Sequence, residues 1–499
     1  MEKKKKNIIT KSRYLNGLKC LKLLWIDCNE RERIPPPDIS QQHIFDQGDM
    51  VGVLAKKLYP EGIDVPYDRG KFFDNIERTK ELLSSRKTLF AAGILYGDVY
   101  SRVDIFQPSD GKKWNIIEVK SSTDMKDVYL DDVAFQKYCC EKMGLQIDKC
   151  FLMQVDNSYV KDGDIDLVGF FQKHDITDEI DAYVVGIEER IERIRKTIAY
   201  KQCPEIEIGI YCSKPYGCFL TGECWGKLSK DNIFTLYNYG PKKGFPLYKD
   251  GIETIKDLPE EGLGVKQLIQ KRATETGETY IDRDLIRTFL EKIQYPICYM
   301  DFETINPAIP LFDGMRPYRR IPFQFSVHVK KNKEAELEHY SFLHRDKEDP
   351  RENFLKELKG IVGNEGTIMV YNRTFEESVL RELAASFPEY DSWVKNVQNR
   401  IVDLLEPFKG FYYYNQEQCG SASFKKVLPA VTGKGYEGMD IAGGSDASAL
   451  YFKATYLDKT EAEEKEKIYS DLEKYCSLDT EGMDWVVTEL IGCSKPLSK

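Results

Sequence analysis

Three groups of residues in this sequence have types and spacings suited to chemistry. Asp104, Glu118 and Lys120 form an Asp-x13-Glu-x-Lys pattern. Paired carboxylates of this kind hold Mg²⁺ or Mn²⁺ through hard oxygen ligands. A bound ion lowers the pKa of a coordinated water and offsets charge on a phosphate, and an adjacent lysine orients the attacking water or neutralises developing charge. The second group is Asp301-Phe302-Glu303, followed at a distance by Glu376 and then by Tyr475 and Asp479. The third is Cys212, Cys218 and Cys224 at six-residue steps, with Cys20 far upstream. Four thiolates suit an iron–sulfur cluster or a structural Zn²⁺, and Cys28 and Cys203 are alternative fourth ligands.

The elements that must position these residues are readable from local pattern. Val99 to Lys120 reads as a β-hairpin turning through Pro108, Ser109, Asp110 and Gly111. Alternate side chains of a strand share a face, so Glu118 and Lys120 point together with Val119 opposite, and Asp104 on the partner strand reaches the same region. Tyr295 to Phe302 is an apolar strand whose end carries Asp301 and Glu303 on one face. Glu376 follows Tyr371-Asn372 at the start of a helical pattern, and Tyr475 and Asp479, four apart, share one face of a helix near Ile468–Leu490. Taken singly, each piece has an ordinary reading: a Glu–Lys hairpin face, a core tyrosine with a surface aspartate, loop cysteines. The order strand, helix, helix in the second group weighs against that reading. Asp403, on an apparent strand, is a further acid that reads first as an ordinary structural residue, with support of the site from behind as the alternative.

Bulk properties bound the class. The chain has 499 residues, 41% hydrophobic and 31% charged, as in an ordinary globular protein of several domains. No run approaches the roughly 18 apolar residues of a membrane span. Lys3 to Lys6 open the chain with no apolar segment after them, which excludes a secretory signal and reads as a solvated end. The formal net charge is −10, so any nucleic-acid surface is a local basic one. Thirteen cysteines, an odd number, argue for reduced thiols and a cytoplasmic location; Cys139, Cys140 and Cys298 sit in apolar runs as small buried hydrophobes. The expected organisation is α/β: a first domain at 1–225, a small, mostly helical connecting module at 226–290 with short helices at 252–258 and 264–273, and a second domain at 291–499. Gly240, Pro241, Gly244 and Pro246 read as punctuation in that module.

The first group resembles the RecB-like branch of the PD-(D/E)XK nucleases. In that branch the helix after Glu-x-Lys carries a Gln and a Tyr; here Gln136 and Tyr138 match the types at a shorter spacing. An earlier Gly-x3-His motif is matched at Gly48 only, position 52 being Gly52; His43 nearby reads first as a structural or exposed residue, with substitution for the missing His as the alternative. One early and three late cysteines bracketing such a domain resemble the iron–sulfur nucleases, AddB-type and CRISPR-associated, which implies that Cys20, Cys212, Cys218 and Cys224 hold a [4Fe-4S] cluster pinning the two ends of the domain. The second group resembles the DnaQ-like DEDD exonucleases of RNase H-like fold. That resemblance implies two ions about 4 Å apart on Asp301, Glu303, Glu376 and Asp479, with Tyr475 positioning the water; Glu376 departs from the family's Asp. The whole chain is similar to a prokaryotic family fusing the two nucleases, most closely at 90–140, 205–226 and 295–330. The resemblances imply a nuclease acting on nucleic acid, DNA before RNA and single-stranded ends first, in repair, recombination or defence. The rivals are one active domain beside one that only binds, and a non-catalytic iron–sulfur nucleic-acid-binding protein.

Overall fold

The structure, a computed structural model, describes residues 8–67, 72–458 and 460–495; Lys3 to Lys6 lie outside them. The chain divides into two compact units. One comprises 1–227 with 307–319, the other 228–306 with 320–499. The segment expected to be a separate connecting module thus belongs, from residue 228 on, to the second unit. The short segment between two strands of the second unit belongs to the first. Among the described residues no helix is long and apolar enough to cross a membrane.

The first unit is a mixed sheet flanked by helices. Its strands are β1 (Ile9–Thr10), β2 (Ile63–Asp64), β3 (Leu89–Tyr96), β4 (Val99–Pro108), β5 (Lys113–Lys120), β6 (Gln146–Val155) and β7 (Phe171–Asp175). They lie in the order β2-β3-β4-β5-β6-β7, with β1 added alongside β4. The β4–β5 hairpin is antiparallel, with Ile105 opposite Ile117, and β5 runs parallel to β6. Alternation along β5 puts Trp114 and Ile116 in one core with the Asp127–Lys142 helix, and Ile117 in another with Val51 and Ala55 of the Ile39–Lys56 helix. Glu118 and Lys120 continue the Trp114–Ile116 face, so they emerge beneath the Asp127–Lys142 helix.

Residues 307–319 close the opposite core. Ala308 is fully buried there, and its N–H donates to Gln47 Oε1 at 3.0 Å. Tyr318 OH donates to the Ser121 carbonyl, one residue past Lys120.

The second unit holds β8 (Tyr280–Ile281), β9 (Ile297–Ile305), β10 (Ile321–Lys330), β11 (Glu338–Leu343), β12 (Thr367–Val370), β13 (Ile401–Asp403) and β14 (Tyr413–Tyr414). Five form a sheet in the order β11-β10-β9-β12-β13, while β8 and β14 make a separate antiparallel pair. β9 is central, antiparallel to β10 and parallel to β12. Both its faces are covered. Cys298, Met300 and Phe302 pack with Phe354 and Leu380, whereas Ile297 and Tyr299 pack with Met483 and Val486 of the Ala462–Cys493 helix.

The expected helix at 252–258 does not form; Thr254 makes an isolated bridge with Asn232 instead. The neighbouring Gly–Pro run is the Gly240–Lys249 helix. Pro241 sits in its first turn, where the missing N–H costs nothing, and Phe234 stacks at 4.7 Å on its Phe245. Tertiary packing overrides the local punctuation there. The second expected helix forms over Val265–Thr276.

Candidate metal and cysteine sites

In the first unit the acids and lysine converge, with additions. Glu118 is 1% exposed. Its Oε1 accepts from Lys120 Nζ at 2.6 Å and from Lys11 Nζ at 2.8 Å, and its Oε2 accepts from Gln136 Nε2 at 2.6 Å. Lys120 and Lys11 also pair with Asp132, at 2.8 and 3.1 Å, and Gln136 Nε2 reaches Asp132 Oδ1 at 2.9 Å. Asp132 and Gln136 are one turn apart on their helix and so reach the same point. Asp104 accepts from the Val119 N–H at 3.0 Å, in place of a ladder bond where the hairpin splays. Lys11 comes from the helix that β1 starts; β1 lies parallel to β4 at Val99, which brings Lys11 over the sheet.

The electrostatics follow from this enclosure. Burial alone would raise Glu118, but Lys11 and Lys120 pull it below the usual carboxylate range. Asp104 goes the other way: burial and the Glu118 charge push it up to about 6. Burial opposes the charge on Lys120, yet Asp132, Glu118 and Asp104 hold its pKa well above the ordinary lysine value.

Tyr138 is not part of this arrangement. It lies two residues beyond Gln136, on a different helix face, in the core and 5.5 Å from the Lys142 ammonium. The aromatic residue beside the site is Tyr129, with Lys120 Nζ 5.2 Å from its ring centre. Gly48 passes the Ser121 side chain: a Cβ there would stand 4.0 Å from its Oγ. His43 has Asp46 on its own helix as its charged neighbour. Lys11, Asp132 and Tyr129 were not singled out in the sequence. An acid one helical turn before Gln136 was the available signal for Asp132; nothing in the local pattern marks Lys11.

The four cysteines expected together line one cavity. Cys20, Cys212, Cys218 and Cys224 face it with Leu220, Tyr211 and Trp225. Cys20 stands at the start of the Leu21–Asn29 helix, where the Lys22 and Leu23 N–H groups favour its thiolate against the larger effect of burial. Cys28 is buried in the main core, and Cys203 lies beside the cysteine cavity without lining it. The loop between Cys212 and Cys218 carries Tyr216, whose OH donates to Tyr129 OH at 3.1 Å. The cysteine segment therefore reaches the carboxylate–lysine site.

In the second unit, ligand oxygens of Asp301, Glu303 and Asp479 lie within 4.8 Å of one another, the one such group of three among the described residues. Asp301 and Glu303 share a face of β9, and Asp479 comes from the buried stripe of the Ala462–Cys493 helix that crosses it. This donor set fits a hard divalent cation, which takes oxygens at about 2.1 Å in octahedral geometry. Glu376 is 1% exposed with Oε2 unpartnered among the described residues, a carboxylate buried without compensation. Burial, reinforced by the other acids, holds Asp301, Glu303 and Glu376 well above the carboxylate range. Burial lifts Asp479 to about 6, less far because Tyr436, Lys425 and Tyr475 stabilise its charge. Tyr475 is buried on the same helix face, with its ring 5.8 Å from that of Tyr436, whose OH donates to Asp479. Tyr436 and Lys425 are the residues of this site that local spacing did not reveal.

Asp403 supports the site from behind, as a cap. It accepts from the Asn372, Arg373 and Leu405 N–H groups at 2.9, 3.2 and 3.0 Å, at the start of the Arg373–Ser386 helix that carries Glu376. A charged cap of this kind is worth about 1–2 kcal/mol. Asp403→Ala is expected to cost that much in denaturant unfolding, with Asp403→Asn recovering part of it; unchanged stability in both would show that the cap carries no load.

A profile described as Domain of unknown function (DUF2779) matches residues 298–423. The matched stretch contains Asp301, Glu303, Glu376 and Asp403 and ends before Asp479. An uncharacterized protein, the MG366 homolog of Mycoplasma pneumoniae, is 24% identical over 217 residues, 39% of this chain and 32% of its own length. Uncharacterized protein MG366 of Mycoplasma genitalium is 25% identical over 220 residues, with the same two shares of 39% and 32%. Uncharacterized protein UU173 of Ureaplasma parvum is 24% identical over 316 residues, 53% of this chain and 44% of the relative. The chain thus spans about a third of the length of the first two relatives.

Proposed function

We propose that this protein is a metal-dependent nuclease that hydrolyses phosphodiester bonds of nucleic acid, with DNA ends as the first substrate to test. On this reading the first unit is a RecB-like PD-(D/E)XK nuclease and the second an RNase H-like DEDD exonuclease. The observation that carries it is the oxygen triad of Asp301, Glu303 and Asp479, three closely packed acids with raised pKa values on a central strand and a crossing helix. Their mutual repulsion has no structural use and is relieved by a divalent cation.

Mg²⁺ or Mn²⁺ bound there would supply an activated water and charge stabilisation on the phosphate. Asp301, Glu303 and Asp479 would hold it, with Glu376 available to a second ion. Tyr475, at the same helix face as Asp479, would orient the water. In the first unit Asp104 and Glu118 would be the ligands and Lys120 would position water, while Gln136 and Asp132 fix Glu118 and Lys120 in place.

Cys20, Cys212, Cys218 and Cys224 would hold a [4Fe-4S] cluster. The same four thiolates, lining one cavity, also suit a structural Zn²⁺. With the cluster bound, anaerobically purified protein should be coloured, with Cys218→Ser bleaching it; a colourless protein carrying zinc would settle for the smaller ion. A one-site reading, in which the second unit binds without cutting, draws on Glu376 falling outside the oxygen triad.

The test uses labelled single- and double-stranded DNA and RNA, with Mg²⁺ or Mn²⁺ against EDTA. Wild type, Lys120→Ala and Asp301→Ala are compared. Metal-dependent products that change differently in the two variants support two active sites. Cleavage untouched by Asp301→Ala leaves the first site alone active, and no cleavage under any condition rejects the nuclease reading.

A further inference from the structure

Lys425 is held beside the acidic triad in a way that a purely structural lysine would not need. It lies in the second position of the Phe424–Thr432 helix. Its Nζ donates to the Ala442 carbonyl and stands 5.5 Å from the ring centre of Tyr475 and 5.9 Å from that of Tyr436. Gly443 makes room for it, since a Cβ at that residue would come within 2.5 Å of the ammonium. Its charge acts on both Glu303 and Asp479. Among the described residues it forms no ion pair within 4.0 Å, and its one hydrogen bond is to the carbonyl. A buried acid cluster beside a flexible lysine ordinarily collapses into a salt bridge, as Glu118 does with Lys11 and Lys120 in the first unit. Here a carbonyl, two aromatic faces and a missing Cβ hold the ammonium off the carboxylates, with two of its three N–H donors unspent.

We propose that Lys425 is a catalytic residue of the second unit, donating to a non-bridging oxygen of the scissile phosphate; this rests on the nuclease reading above. The carboxylates would take the cations, and the phosphate oxygen would lie between them and the ammonium. In the hydrolysis, water adds to phosphorus, the P–O bond to the leaving nucleotide breaks, and the water proton passes through solvent to the leaving oxygen. Lys425 stays protonated throughout and gains its hydrogen bond as negative charge builds on the phosphate. The rings of Tyr475 and Tyr436 stand beside the ammonium and orient it toward that position.

The experiment uses full-length protein carrying Lys120→Ala, so that cleavage reports the second unit, with single-stranded DNA and Mn²⁺. Lys425→Met, Lys425→Arg and Gly443→Ala are compared by single-turnover cleavage and by Mn²⁺ titration. Removing one donor to a developing oxyanion costs about 100-fold in rate. Lys425→Met is therefore expected to lose about 100-fold while binding Mn²⁺ no more weakly, because a repelling charge has gone. Lys425→Arg should keep most of the rate. Gly443→Ala, which displaces the ammonium without removing it, should fall between. Cleavage that is lost in Asp301→Ala but kept in Lys425→Met overturns the lysine's role alone. Weakened Mn²⁺ binding in Lys425→Met that accounts for its slower rate overturns it too. Mn²⁺ bound in an Asp301-dependent manner with no cleavage by any variant overturns the hydrolytic reading, and this inference with it.

Discussion

Asp301→Asn is expected to abolish Mn²⁺ binding in the second unit and, at the same time, to make the metal-free protein more stable at pH 7. Asp301, Glu303, Glu376 and Asp479 all titrate above their ordinary values because they are buried together. A carboxyl whose folded pKa is raised binds more protons folded than unfolded between the two values. Stability therefore falls as pH rises through that window. For Asp479 the window runs from 3.8 to about 6, which corresponds to roughly 3 kcal/mol of lost stability at pH 7. The metal-free second unit should thus melt several degrees higher at pH 5 than at pH 7, taking about 2–4 °C per kcal/mol. Saturating Mn²⁺ should reverse the order by binding only the folded state, and Asp301→Asn should remove both the metal response and much of the pH response. Thermal melts with and without Mn²⁺ at the two pH values decide it. Wild-type melting that ignores both pH and metal would mean that the triad is a set of ordinary hydrogen-bonded acids.

Glu118→Ala is expected to do the opposite in the first unit, losing both cleavage and stability. Glu118 is buried against two ammonium groups. Removing it leaves Lys11 and Lys120 with Asp132 as their close acidic partner. Breaking a buried pair in this way costs about 3–5 kcal/mol, through the uncompensated charge that remains. Lys11→Met should restore part of that loss when combined with Glu118→Ala, with a coupling of about 1–3 kcal/mol, while cleavage stays absent. The pH signature also reverses. Glu118 titrates below its ordinary value, so its contribution is present above about 4.5, the unfolded value, and is lost only as pH falls further below that. Mild acid therefore favours the second unit and leaves the Glu118 contribution of the first unchanged, while Asp104, raised to about 6, adds a smaller gain of its own there. Denaturant unfolding of the single and double variants, beside cleavage assays, measures both effects. Additive losses in the double variant would sever Lys11 from Glu118.

Much of both sites was legible because their pairs are local. Strand alternation alone places Glu118 with Lys120 and Asp301 with Glu303, and a four-residue step places Tyr475 with Asp479. The burial of Asp479 in the apolar stripe of its helix departs from the ordinary expectation of a surface aspartate there, and was decided by packing. The Gln-x-Tyr spacing was legible in the same terms and weighs against Tyr138: residues two apart on a helix face different ways, and the aromatic residue beside the site is Tyr129.

What only the tertiary structure decided are the partners that come from distant sequence. Lys11 reaches Glu118 across 107 residues because β1 lies beside β4. Tyr436 reaches Asp479 across 43 residues from a loop, and Lys425 joins it from a second helix. No periodicity encodes such meetings, because they depend on which strand edges pair and which helices cross. The same holds for residues 307–319, which leave one unit to complete the core of the other, and for the Gly240–Lys249 helix, whose local punctuation argues against it. Local spacing by itself determined which side chains share a face; the packing of elements far apart in the chain decided which charges those faces meet.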